Sequence, residues 1–266
     1  EAIVTPMREH QRYFPVLNSE GRLMPLFITV RNGTAENIQV VQRGNERVLR
    51  ARLADAQFFY NEDCKLRLAE RVEKLKTIVF QDGLGTMHDK AMRIKDLALK
   101  IAAREGKSQA EMQIIERGAF LAKADLVTGM VCEFTELQGT MGREYALRDG
   151  EDSAVAEAIY EHYLPRFAKD DLPSSVAGQI IGLADKVDNI VATFSRGLIP
   201  TGSQDPFALR RQALGIVNIM VHGKYNITLT EMLGYSFELF NITDTERRTL
   251  LLDELQDFFR LRLKNL

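Results

Sequence analysis

Apolar positions along this chain recur mostly at three- and four-residue spacing, the mark of helices that bury one face. Alternating spacing is confined to the first thirty residues. There Tyr13-Phe14-Pro15-Val16-Leu17 and Leu26-Phe27-Ile28-Thr29-Val30 flank the turn cluster Asn18-Ser19-Glu20-Gly21, which predicts a hairpin. A lone hairpin is marginal in water, so it is expected to pack on a helix or on a further domain. Arg47 to Val79 reads as one long helix, or two in succession, with Val48, Ala51, Phe58, Leu68, Val72, Leu75 and Val79 inward and Gln81-Asp82-Gly83-Leu84-Gly85 as its end. Met87, Ala91, Ile94, Leu97, Ala98 and Ile101 define the next apolar face. After Gly106-Lys107, Ser108 is placed to cap a helix from Glu111 to about Phe134. Further helices are predicted at Ala154–Leu164, Val176–Ser195, Pro206–His222, Leu229–Phe240 and Asp244–Leu263, with a loop over Phe167 to Ser175. The expected fold is mainly α.

Composition narrows the chemistry. Lys and Arg total 35 against 37 Asp and Glu, a formal charge of −2, so nucleic-acid contact must come from local patches. Cys64 and Cys132 stand apart in sequence without neighbouring Cys or His ligands, which indicates thiols in a reducing compartment rather than disulfides or zinc sites. No apolar run is long enough to span a bilayer, and the sequence starts at Glu1 without a signal peptide, so a cytoplasmic protein or a piece of one is expected.

The most informative stretch is Ile199-Pro200-Thr201-Gly202-Ser203-Gln204-Asp205-Pro206-Phe207-Ala208-Leu209-Arg210-Arg211. It joins a Gly/Ser loop to an Asp-Pro pair suited to the N-cap and first turn of a helix, with two arginines just inside. Unpaired amides, the helix dipole and two guanidinium groups make it an anion site. An ordinarily capped helix whose arginines pair with surface carboxylates is the alternative. A second basic cluster, Arg8, His10, Arg12 and Tyr13, combines guanidinium and aromatic planes able to stack on unpaired bases, although one of Tyr13 and Phe14 must face the core. Arg43, Arg47, Arg50, Arg52 and Arg71 make the long-helix region locally basic, with Asp55, Glu62 and Glu70 interspersed.

The 199–216 stretch closely resembles a signature of the β subunit of the bacterial heterotetrameric glycyl-tRNA synthetase. Similar to that family too, in the same order, are Arg52 to Tyr60, Lys123-Ala124-Asp125-Leu126-Val127, Cys132 to Gly142 and Ala184-Asp185-Lys186-Val187-Asp188. The resemblance runs from Gln11 to at least Ile219. It implies an excised middle portion of a longer subunit: residues 1–80 as the end of an N-terminal domain (hairpin plus long helix), 81–200 as a helical domain, and 201–266 as a helical connector toward an anticodon-binding region.

Thr86 to Ile190 also resembles the HD superfamily of metal-dependent phosphohydrolases, in which His and Asp from several helices hold cations. Matching Arg93-Ile94 and Ala119-Phe120-Leu121 to that pattern places Lys90 at the first histidine and Ala122-Lys123 at the His-Asp doublet. Asp185 falls on the final aspartate and His162 near an auxiliary histidine. Lysine at neutral pH has no lone pair and alanine no ligand atom, so no metal is expected. His88-Asp89 spells the doublet at the wrong place and reads as a helix-start acid beside an exposed His. Asp125 either pairs with a base inside the bundle or shares a functional site with Lys123. Asp185 and Asp188 hold Lys186 or a helix start, or are the remnant of a metal site. Gln138 to Arg143, with two glycines, is expected to be a loop joining helices.

The resemblance implies glycine–tRNA ligase activity, the ATP-dependent glycylation of tRNA(Gly) by an α2β2 enzyme. Glycine and ATP, with Mg, are handled by the α subunit, and tRNA is bound by the β subunit. No catalytic residue and no cofactor are expected in this chain. The candidate tRNA contacts are Arg210, Arg211, Lys123, Lys90, Arg93 and Arg12. An HD-type phosphohydrolase with unusual ligands, or a scaffold that docks the α subunit without touching RNA, are the competing readings.

Overall fold

The computed structural model describes residues 3–167, 169–200, 205 and 207–263. Among them are twelve α-helices and a single two-stranded antiparallel sheet, so the fold is mainly α. In chain order these are α1 (Val4–Gln11), β1 (Phe14–Leu17), β2 (Leu23–Ile28), α2 (Ile38–Asp63) and α3 (Leu68–Arg71). Then come α4 (Met87–Arg104), α5 (Gln109–Leu121), α6 (Gly129–Glu133), α7 (Thr140–Arg148) and α8 (Ser153–Glu161). The chain continues through α9 (Val176–Ser195), α10 (Leu209–Gly223), α11 (Leu229–Leu239) and α12 (Thr245–Leu263).

Local chemistry sets most helix starts. Thr86, Ser108 and Thr228 each form a capping box with the acid three residues on, Asp89, Glu111 and Glu231, so both partners satisfy amides that the first turn leaves open. Asp89 is therefore the helix-start acid expected of it. Ser175 caps α9 by accepting from Gly178 N at 2.9 Å, and the Glu161 carboxylate receives the amides and hydroxyls of Ser174 and Ser175, fixing the approach to that helix.

Four elements differ from the expectation. Helix α1 lies ahead of the expected hairpin, where no element was read. Strand β2 begins at Leu23, because Asn18 closes the turn early by accepting from the amides of Glu20 and Arg22. Helix α2 starts at Ile38 and stays largely in solvent, so Val48 and Phe58 are exposed rather than inward, as is Val79 beyond it. The helix expected through Phe134 stops at Leu121. Thr128 restarts the chain as an N-cap for Val131, and the buried Asp63 carboxylate draws the amides of Gly129 and Met130 to 2.8 and 2.9 Å. Within the expected 138–143 loop, Gly139 adopts φ +79°, a conformation glycine allows cheaply, and α7 begins directly after it.

Two apolar cores form. One gathers Ala56, Leu68, Val72 and Leu75 with Ala91, Leu121, Phe134, Met141 and Ile159. The other joins Ile94, Leu97 and Ile101 of α4 to Ile180, Leu183 and Val187 of α9, then to Leu209, Ile216, Phe237, Leu255 and Phe259 of the last three helices. Each core therefore runs across one of the divisions drawn near residues 80 and 200. Helix α9 is buried on nearly every side, and that is why its charged residues end up inside.

Candidate functional site

Helices α4 and α9 cross with Lys90 and Arg93 on one and Asp185 and Asp188 on the other. Each pair has the i, i+3 spacing that puts both side chains on one helix face. The turn after α5 adds Lys123, and His162 enters from the end of α8. The four places matched to the metal-ligand pattern by side chains that carry polar atoms, Lys90, Lys123, His162 and Asp185, thus meet at one point, while Ala122 is plain core.

The geometry is that of a closed ion cluster. Lys90 Nζ lies 2.8 Å from Asp185 Oδ1 and 3.0 Å from Asp188 Oδ2. Lys123 Nζ donates to Asp185 Oδ2 at 2.8 Å and meets His162 Nε2 at 2.9 Å, with the Tyr163 ring centroid 4.1 Å away. His162 Nδ1 faces the Ile159 carbonyl at 2.6 Å, so Nδ1 carries the proton and Nε2 accepts from the lysine. Arg93 grips Asp188 through Nε at 2.7 Å and Nη2 at 3.3 Å. Lys186 points the other way, donating to the carbonyls of His162 and Leu164 at 3.0 and 2.7 Å.

Protonation follows from burial and charge. Burial alone would raise Asp185, but Lys123 and Lys90 outweigh it and hold the carboxyl well below its usual range. Burial would lower Lys90, yet Asp185 and Asp188 carry its pKa above the usual lysine value. Burial, reinforced by the Lys123 charge, drives His162 far below the ordinary imidazole value, so its ring is neutral. Lys186, buried without a carboxylate in contact, falls to about 8. Asp125, which accepts from Gly139 N at 2.6 Å, is pushed by burial to about 6.

These residues do not fit a divalent cation. The ammonium groups of Lys90 and Lys123 sit against both oxygens of Asp185, where a metal would need open lone pairs. Among the described residues, no group of three or more His, Cys, Asp or Glu side chains is placed to hold a metal. The same packing corrects the assignment of Lys90, Lys123 and Arg93 to a phosphate-facing surface. Lys90 is 2% exposed and Lys123 4%, and all three cations are neutralised inside the bundle. Asp185 and Asp188 hold Lys90, Lys123 and Arg93, not Lys186 as expected. Asp125 makes no ion pair; its partner is a backbone amide.

The surface candidates lie elsewhere. Arg12 is exposed and ends α1 in a left-handed conformation. Tyr13 beside it is 6% exposed and donates to Asn45 Oδ1, so it is the core member of the Tyr13–Phe14 pair and cannot stack on a base. Arg71 also leaves the basic face of the long-helix region, being buried against the carbonyl of Asp63. Helix α10 begins at Leu209 rather than at Pro206, and the Asp205 carboxylate accepts from the amides of Leu209 and Arg210 at 2.8 and 3.0 Å. The anion expected at this helix start is thus the chain's own. The Gly202-Ser203 loop and Pro206 lie outside the described residues. Arg210 is half-buried, whereas Arg211 is exposed and donates to the Arg166 carbonyl at 3.0 Å.

Sequence reading missed Asp63, the second buried polar node, which also accepts from Tyr145 Oη at 2.8 Å. It missed as well Phe167, Lys169 and Arg262, which share a groove with Arg210 and Arg211.

A sequence model described as the glycyl-tRNA synthetase beta subunit matches residues 1–266. The chain belongs to this family. Three glycine–tRNA ligase beta subunits illustrate the similarity: those of Desulforamulus reducens (52% identical over 266 residues), Syntrophotalea carbinolica (51% over 266) and Moorella thermoacetica (50% over 269). The match covers 99% of this chain for the first and all of it for the other two. It covers 38–39% of the relatives' own length, so the chain spans well under half of the relatives it matches. No described helix is long and apolar enough to cross a membrane.

Proposed function

We propose that this chain is a tRNA-engaging helical region of a β subunit. That subunit would work with an α subunit, in an α2β2 enzyme of the cytoplasm, to glycylate tRNA(Gly) at the expense of ATP. Glycine activation, with ATP and Mg, belongs in this reading to the α subunit, and the present residues supply binding rather than bond-making. The family membership carries the reaction. The observation that carries the division of labour is the buried cluster, where lysines close the one place that resembles a hydrolytic centre. The phosphohydrolase reading loses its ligands there.

RNA contact is assigned to surface cations, Arg210 and Arg211 first and Arg12 second. In the complete α2β2 enzyme, Arg210→Ala with Arg211→Ala is expected to weaken tRNA affinity and flatten its salt dependence by about one to two units in log–log slope. Glycine-dependent ATP–pyrophosphate exchange without tRNA persists. A double variant that melts earlier but binds tRNA with unchanged salt dependence would instead favour the scaffold reading.

A further inference from the structure

A groove of about 860 Å³ opens where α10, the end of α12 and the 165–172 segment meet. Its basic lining comes from three separate stretches: Lys169, Arg210 with Arg211, and Arg262. Arg211 donates to the Arg166 carbonyl, which holds it beside the segment that carries Lys169. Arg262 is fixed by a 2.6 Å bond to the Phe258 carbonyl and by stacking 3.8 Å from the Phe258 ring centroid. Burial, and next the nearby Arg210 charge, lower its pKa, so two guanidinium groups share that end of the groove.

The acids at the groove are already engaged by the chain, and Asp205 opposes part of the shift at Arg262. Asp170 lines the groove, but Arg166 takes its carboxylate with a backbone amide at 2.7 Å and Nε at 3.1 Å. Asp205 is turned to the amides of Leu209 and Arg210. The helix start is therefore satisfied internally, and the attraction left for a ligand belongs to side chains. The lining also includes Leu214 on α10 and Phe167, which is 55% exposed. An exposed ring beside cations is the equipment that stacks a nucleobase. Ahead of Phe167, Lys186 donates to the carbonyls of His162 and Leu164.

We propose that this groove seats an unpaired nucleotide of an RNA strand, with the base against Phe167 and Leu214 and the adjoining phosphates at the cations Lys169, Arg210, Arg211 and Arg262. The volume lies within the range of small-ligand sites and admits a base plane, which a duplex keeps stacked and hidden. Four cations suit a phosphodiester chain, whereas a free mononucleotide brings a single phosphate group. The proposal rests on the tRNA-binding reading and adds where, and by which part of the RNA, the chain is met.

The test uses fluorescence anisotropy on this chain with a single-stranded RNA hexamer, the same sequence as a duplex, and AMP as competitor. The expected result is preference for the single strand and weak competition by AMP. Phe167→Ala should reduce hexamer affinity about tenfold, as for one lost stacking contact. Lys169→Ala with Arg211→Ala, both at exposed positions, should make the log–log salt slope shallower by about one to one and a half. Leu214→Trp, which fills the groove, should abolish the preference; circular dichroism melts identify variants that merely unfold, and for these the exposed Phe167→Ala decides. Equal binding of duplex, or AMP competing as well as the hexamer, overturns the assignment to an RNA strand. If Phe167→Ala and Leu214→Trp in the α2β2 enzyme leave tRNA affinity unchanged while Arg210→Ala with Arg211→Ala lowers it, the groove is wrong and the function stands. If no variant changes tRNA binding, both fall.

Discussion

At the scale of single residues, Lys123 is the test of the buried cluster. Replacing it by methionine keeps volume but leaves Asp185 with Lys90 alone and His162 Nε2 without a donor. Lys123→Met is expected to cost about 3–5 kcal/mol, the usual penalty for removing one partner of a buried pair, and to move the His162 pKa upward by removing a neighbouring positive charge. Chemical denaturation and imidazole NMR titration measure the two; an unchanged stability would mean the cluster is not the closed ion network described. Asp125 gives a pH signature of the opposite kind. Its folded pKa of about 6 exceeds the ordinary 3.8, so between these values the folded chain holds a proton that the unfolded chain has lost. Stability therefore falls as pH rises from about 4 to 6 and is flat beyond. Asp125→Asn, which can still accept from Gly139 N, should abolish that component, worth about 3 kcal/mol, in the difference between the two pH–stability curves. The positions of Lys90, Lys123, His162 and Asp185 were legible as a set because ligand-pattern spacing carries through a change of residue type. Their burial was not, since a lysine in a helical sequence reads equally well as a solvated face until its neighbours are known.

At the scale of elements, the clearest signals were chemical caps. Ser108, Ser175 and the 3.6-residue periodicity placed α4, α5 and α9 within a few residues at their starts. What failed was the stretch from Ala122 to Arg143, where the helix breaks because Asp63, some sixty residues upstream in sequence, binds the amides of Gly129 and Met130. No local pattern announces a distant carboxylate. The solvent-facing α2 was misread for a related reason: apolar residues such as Val48 and Phe58 predict an inward face even where no partner lies against them. Helix crossings offer a measurable check on packing. A methyl added at Gly118 of α5 would come within 2.9 Å of Ile181 Cδ1 and 3.4 Å of Ala158 Cβ, on two different helices. Gly118→Ala should therefore lose about 1 kcal/mol despite the better helix propensity of alanine, because Ile181, fully buried, has little room to turn its Cδ1 away. A thermal melt at or above that of the parent chain would show the crossing to be looser than the distances indicate.

At the scale of the whole molecule, the decisive feature is that the last three helices complete a core begun by α4 and α9. Leu209, Ile216 and Ile219 of α10, Leu233 and Phe237 of α11, and Leu255 and Phe259 of α12 join the same cluster as Ile94, Leu97, Ile180 and Val187. Read from sequence, residues 201–266 looked like a connector because nothing in a run of amphipathic helices says which earlier face they cover. The core argues for joint folding. Truncation after residue 200 strips the cover from these α4 and α9 side chains, and a buried Leu or Ile is worth roughly 1.5–3 kcal/mol against solvent. Losing a handful of such contacts exceeds the total stability of an ordinary domain, about 5–15 kcal/mol. A chain of residues 1–200 is thus expected to lack a cooperative thermal transition and to bind a hydrophobic dye, whereas residues 1–266 melt cooperatively. If residues 1–200 instead melt sharply and stay monomeric, the helices from α10 onward are an appendage, and the groove they form with the 165–172 segment is a boundary between units rather than a site built into one core.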